Sequence, residues 1–92
     1  MEIDAQFEKA VNTSKKLVYK PSNDRLLQLY GFYKQATTGD CNKEVKNPLN
    51  LVSRAKHDAW AKHSGMDSAD AKQKYVELVE YLSNKPKQSV LT

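Results

Sequence analysis

The chain has 92 residues, with 15 Lys plus Arg against 11 Asp plus Glu, a net charge of +4 and one cysteine. That length supports one compact core and leaves too little apolar surface for a second, so a single domain over residues 1–92 is expected. The lone Cys41 excludes an internal disulfide and a cysteine-rich metal site, and no stretch is long and apolar enough to span a membrane; the positive balance favours an anionic partner, with nucleic acid, phospholipid headgroups and phosphorylated metabolites all fitting.

Glu2-Ile3-Asp4-Ala5-Gln6-Phe7 alternates charge and apolarity where an export signal needs a hydrophobic run, so a reducing, cytoplasmic location is expected. A first helix is predicted from about Asp4 to Val18: Asp4 can cap it, and Phe7, Ala10, Val11, Ser14 and Leu17 recur at helical spacing. Asn12-Thr13-Ser14 has the spacing of a glycosylation acceptor and reads as surface of that helix. Pro21 interrupts the chain, and Ser22 or Asn23 offers an oxygen to the free amides of the next helix, predicted from Asn23 to Thr37.

On this second helix Leu26, Leu27, Tyr30, Tyr33, Lys34 and Thr37 form a broad face, with Leu29 and Phe32 beside it. Such breadth suits contact with more than one helix, or a core on one edge and a ligand on the other. Tyr30 and Lys34 are four residues apart, so one ligand can meet ring and ammonium together. The same spacing also describes the rim of an amphipathic helix with Lys34 in solvent, and the residues alone leave both readings open. Gly31 removes bulk beside Tyr30, or is a tolerated helix glycine.

Gly39 reads as a helix stop, followed by a long polar connection to Pro48 that permits non-antiparallel flanking helices. A third helix is predicted from about Leu51 to His63, with Val52, Ala55, Ala59 and Trp60 packing inward. Lys56 and Trp60 repeat the four-residue spacing of cation and ring, so the two pairs are candidate walls of one polar cleft; Trp60 in the core with Lys56 in solvent is the competing reading. Gly65 breaks this helix, and Asp67 or Ser68 can cap a fourth. Its apolar stripe runs through Ala71, Tyr75, Leu78, Val79 and Leu82, beside Val76 and Tyr81, to about Asn84. Pro86 ends it, and a flexible tail is expected at 86–92.

Catalytic signatures are lacking. His57 and His63 do not have a zinc-pair spacing, Cys41 has no neighbouring thiolate, and the acidic residues form no phosphoryl-transfer pattern. Basic residues are spread along the chain without a recognition-helix motif, which argues against specific nucleic-acid binding. A module that binds a partner helix is a further alternative.

Two runs carry a family pattern: Tyr30-Gly31-Phe32-Tyr33-Lys34-Gln35-Ala36-Thr37-Thr38-Gly39-Asp40 and Arg54-Ala55-Lys56-His57-Asp58-Ala59-Trp60. With Lys20-Pro21 and Ala71-Lys72-Gln73-Lys74-Tyr75 at matching places, the chain resembles the acyl-coenzyme A binding protein family over essentially its whole length. The resemblance implies an all-α four-helix bundle with a long connection between helices 2 and 3. It also implies a monomer, not an enzyme, that binds, buffers and transports medium- to long-chain fatty acyl-CoA in the cytoplasm. Neither cofactor, metal nor specific nucleic acid is implied, while transient contacts with membranes or acyl-CoA-using enzymes are. By the same resemblance Tyr30, Lys34 and Lys56 correspond to residues on the adenosine and its 3′-phosphate, and Tyr33 and Tyr75 to aromatic ligand positions. Leu27 matches an apolar position near the acyl group, and Lys15 a peripheral basic one. His57 stands where many relatives place another tryptophan, and Leu26 where methionine is frequent; both departures bear on acyl preference.

Overall fold

The computed structural model describes residues 2–41 and 49–84. The expectations for the chain between Asn42 and Pro48, and for a flexible tail at 86–92, lie outside the described residues. Among the described residues there are four helices: α1 (Ile3–Ser14), α2 (Asn23–Thr37), α3 (Leu51–Ala61) and α4 (Ser68–Asn84). The described residues contain no strand. The α2–α3 connection spans residues 38–50.

Helix ends follow local hydrogen bonding. The Ser22 hydroxyl accepts the Arg25 N–H and starts α2, and the Asn50 side chain accepts the Ser53 N–H and starts α3. Asp4 does not cap α1, which begins one residue earlier with no side-chain cap; the Asp4 carboxylate lies 2.6 Å from Lys72 Nζ on α4 instead. Nor does α1 reach Val18. Lys15 and Lys16 turn their N–H groups back three residues to Asn12 and Thr13, and Val18, 83% exposed, meets no surface to hold another turn. At the end of α3, His63 and Ser64 make the same three-residue bonds, so the helix stops at Ala61 rather than His63. Gly39 and Gly65 both have positive φ, +96° and +89°, and turn the chain out of α2 and into the approach to α4. Asp67 precedes α4 with its carbonyl taking the Ala71 N–H, while the Ser68 hydroxyl donates to the Ala36 carbonyl and ties α4 to the end of α2.

α4 packs against both α1 and α2, and α3 packs on α2. Partners fix the directions. Arg25 meets Tyr81, Tyr33 meets Tyr75 and Ala36 meets Ser68, so α2 and α4 are antiparallel. Tyr30 meets Lys56 and Lys34 meets Trp60, so α2 and α3 run the same way, as the long connection permits. The core joins Phe7 and Ala10 of α1, Leu29 and Ala36 of α2, and the α4 stripe of Ala71, Tyr75, Val76, Leu78 and Val79. The buried line of α2 follows Leu29, Gly31, Gln35 and Ala36, with Leu26, Tyr33 and Thr37 exposed beside it, so one edge of the helix is core and the other is open. One expectation is corrected. Val52 is 65% exposed and is no part of the core, since the core-facing residues of α3 are Ala59 and Trp60.

Where α2 crosses α3, Gly31 is buried, and a Cβ built on it would overlap the Ala59 carbonyl and lie 3.1 Å from His63 Cδ2. At the far end of α2 a second tie gathers the two connections. The Gln35 amide, 1% exposed, donates to Asp40 Oδ1 (2.8 Å) and to the Met66 carbonyl (2.9 Å), and the Gly65 N–H donates to the same Asp40 oxygen (2.8 Å). These donors, Gly65 first and Gln35 second, hold the Asp40 carboxyl below the usual carboxylate range against a smaller opposing effect of burial.

Gly31→Ala is expected to lower stability by about 1–3 kcal/mol through overlap with backbone that has little room to yield, in spite of a helix-propensity gain of up to about 1 kcal/mol. A rise in the thermal midpoint would contradict the close-crossing account. Asp40 favours folding while ionised, so its contribution is present above the unfolded pKa, near pH 4, and is lost as pH falls through the lower folded value. Asp40→Asn should therefore flatten the acid limb of stability below about pH 4 in denaturant titrations, leaving the neutral-to-alkaline slope alone.

Candidate functional site

Leu27, Tyr30 and Lys34 lie three and four residues apart on α2 and share a stripe, all half-buried. Gly31, next to Tyr30, lets the α3 backbone approach, and the parallel run sets one turn of α2 against one turn of α3. Cations and rings then exchange partners. Lys34 Nζ lies 4.9 Å from the centre of the Trp60 ring, and Lys56 Nζ lies 5.3 Å from that of Tyr30. The sequence spacing suggested Tyr30 with Lys34 and Lys56 with Trp60, each within its own helix. The neighbouring helix presents the ring faces instead, which is a tertiary fact. Trp60 is 6% exposed and its Nε1–H donates to the Gly39 carbonyl at 2.7 Å, so the ring under Lys34 is held by burial and by one hydrogen bond. Lys56 is exposed apart from its ring contact.

Around the other side of α2, Tyr33 and Tyr75 meet across Phe7. The Phe7 ring is 5.9 Å from Tyr33 and 5.1 Å from Tyr75, and the two tyrosine rings are 6.1 Å apart. Tyr75 is buried and its hydroxyl donates to Ser14 Oγ (3.1 Å), which in turn donates to the Val11 carbonyl (2.7 Å). Burial pushes the Tyr75 phenol above its ordinary pKa, the Ser14 hydrogen bond partly offsets this and nearby Tyr33 adds to the rise, so Tyr75 is a protonated donor at neutral pH. Lys15 follows Ser14 directly, exposed at the end of α1.

Five of the seven expected positions thus fall into two contact groups: Tyr30, Lys34 and Lys56 with Trp60, and Tyr33 and Tyr75 with Phe7. The adjacency of Tyr33 and Lys34 on α2 connects them. Leu27 joins along the helix stripe, one turn before Tyr30, and Lys15 through its neighbour Ser14. Sequence reasoning paired Trp60 with Lys56 and so missed it as the platform of Lys34, and it read Phe7 only as core and missed it as the spacer between two tyrosines. It also missed that Leu51 and Val52 are exposed apolar side chains. Val52 lies one turn before Lys56 on α3, as Leu26 and Leu27 lie one turn before Tyr30 on α2. Chemically the assembly offers two ammonium groups for anionic oxygens, ring faces for a flat heteroaromatic group, and apolar side chains a turn away. Among the described residues no three His, Cys, Asp or Glu side chains gather as a metal site, and no helix is long and apolar enough to cross a membrane.

A family model described as "Acyl CoA binding protein" matches residues 4–79. The acyl-CoA-binding protein of Dictyostelium discoideum is 47% identical over 79 residues, covering 86% of this chain and 94% of that protein. That of Saccharomyces cerevisiae is 42% identical over 76 residues, 83% of this chain and 87% of that one. The crystal structure of Oryza sativa acyl-CoA-binding protein 2 superposes with a TM-score of 0.85 at 33% identity, covering 99% of both chains.

The exchanged pairing makes a local prediction. Lys34→Gln should change the emission of Trp60 while lowering stability by only about 0.5–1 kcal/mol, the worth of a partly exposed cation–ring contact. Lys56→Gln, which empties the Tyr30 face, should leave that emission unchanged; the opposite pattern would restore the within-helix pairs.

Proposed function

The chain belongs to the acyl-CoA-binding protein family, and from that membership we propose that it binds fatty acyl-coenzyme A thioesters without altering them and buffers and carries them in the cytoplasm. The single observation that most supports the reading is the crossed pair of lysines. Two ammonium groups, Lys34 and Lys56, are each seated on a ring of the opposite helix, 4.9 and 5.3 Å from the ring centres. Coenzyme A carries a purine and a compact, highly charged 3′-phosphate, and it needs charge and ring surface together.

In this reading Tyr30, Lys34 and Lys56 hold the adenosine and its 3′-phosphate. The Phe7, Tyr33 and Tyr75 group takes the neighbouring part of the ligand, with the Tyr75 hydroxyl a protonated donor, and Lys15 adds peripheral charge. Leu27 covers the acyl chain, joined by the exposed Leu26 and Val52. Each methylene covered contributes roughly 0.8 kcal/mol, so medium- and long-chain esters are the favoured cargo. The domain works as a single unit over residues 1–92, as a monomer with no cofactor, in transient contact with membranes or acyl-CoA-using enzymes.

Calorimetric titration with hexadecanoyl-CoA, free CoA and hexadecanoate tests this. The intact thioester should bind most tightly, and affinity should rise with chain length until the groove no longer covers added carbons. Lys34→Ala and Lys56→Ala should each weaken binding by about tenfold or more, since a charge-assisted hydrogen bond is worth about 1.5–3 kcal/mol. Equal weak binding of all three ligands, or intact affinity in both variants, would refute the assignment.

A further inference from the structure

A second cleft, of about 460 Å³, opens on the reverse side of α2 and has no part in the acyl-CoA reading. Arg25, Gln28 and Phe32 contribute from α2, and Lys62 and His63 from the turn after α3; Lys74, Glu77, Leu78 and Tyr81 come from α4. Each of the three α2 residues is offset by two positions from Leu27, Tyr30 and Lys34, a rotation of about 200° at 3.6 residues per turn. The two sites therefore stand back to back on one helix.

The cleft has an apolar floor and a cationic rim. Phe32 is stacked on His63 at 4.4 Å, and Leu78 is 8% exposed. Burial first and the charge of Lys62 second hold the His63 imidazole below its ordinary pKa, so a neutral ring completes the floor at neutral pH. Arg25 lies 5.3 Å from the Tyr81 ring centre and donates to Gln28 Oε1 at 3.0 Å, which holds its guanidinium at the edge. Lys62 and Lys74 approach from two other elements, against the carboxylate of Glu77, the one acidic group among the described residues that line the cleft.

We propose that this cleft is a docking site for a partner protein through an acidic segment bearing one large apolar side chain between carboxylates. The apolar side chain fills the floor over Phe32 and Leu78, and the flanking carboxylates meet Arg25, Lys62 and Lys74. A peptide backbone can present an N–H to Glu77, whereas an array of phosphates only meets repulsion there. Since the Lys34 and Lys56 face stays free, the carrier can engage an acceptor while loaded. That delivery role rests on the acyl-CoA reading; binding of the segment itself does not.

The test uses the full chain, ¹⁵N-labelled, and a synthetic peptide with one Phe flanked on each side by two Glu. Amide shifts should centre on Arg25, Phe32, His63, Lys74 and Tyr81, and should be absent with the matched Lys-for-Glu peptide. Arg25→Glu combined with Lys74→Glu should weaken the peptide by about tenfold or more and leave hexadecanoyl-CoA affinity unchanged. The proposal is overturned if the shifts centre on Lys34 and Lys56, if charge reversal has no effect, or if inorganic phosphate or phosphatidylserine vesicles give the same shifts as strongly. Peptide binding with no thioester binding would leave the docking site standing and remove the carrier reading; thioester binding with no peptide binding would do the reverse.

Discussion

The missing side chain at Gly31 is the constraint on which the rest of the arrangement depends. A Cβ there would overlap the Ala59 carbonyl, so α3 lies against α2 at a distance that only glycine permits. Close approach and parallel direction together bring Lys56 over Tyr30 and Lys34 over Trp60. The crossing thus converts two ordinary helix faces into one surface with alternating charge and ring. The tie of Gln35, Asp40, Gly65 and Met66, together with the bond from Trp60 to the Gly39 carbonyl, then anchors the chain beyond that crossing, at the far end of α2.

α4 has the complementary role. Its stripe from Ala71 to Val79, with the buried Tyr75 at its centre, supports α1 on one side and α2 on the other. The ring packs on Phe7 while the hydroxyl reaches Ser14. Tyr75 is therefore tied into the core by both ring and hydroxyl, so a substitution there would disturb the fold more directly than one at Lys34 or Lys56. α2 is shared more widely still. One side carries Leu27, Tyr30 and Lys34, the edge against α4 is core, and the reverse holds Arg25 and Phe32 over a separate cleft. The broad apolar and polar face read from its sequence reflects those several obligations.

Much of the fold was legible because its determinants are local. Helical periodicity located four helices, Ser22 marked the start of α2, and Gly39 and Gly65 marked turns that need positive φ. Errors arose where a competing contact was invisible. Asp4 looks like a cap, but Lys72, sixty-eight residues away, takes its carboxylate. Leu17 and Val18 continue the α1 pattern, yet the helix stops because no surface receives Val18. Val52 has core spacing on α3 but lies beyond the small-residue crossing that brings Ala59 and Trp60 inward.

For the site itself, the sequence by itself determined which chemistry is present: lysines and tyrosines in two recognisable runs, with a glycine between Tyr30 and Phe32. Side-chain type and helical spacing are properties of the chain and survive any packing. Which lysine sits on which ring, that Phe7 separates Tyr33 from Tyr75, and that α2 carries a second cleft on its reverse were decided only by tertiary structure. These depend on helix direction and interhelical distance, and both are set by contacts between residues far apart in the chain.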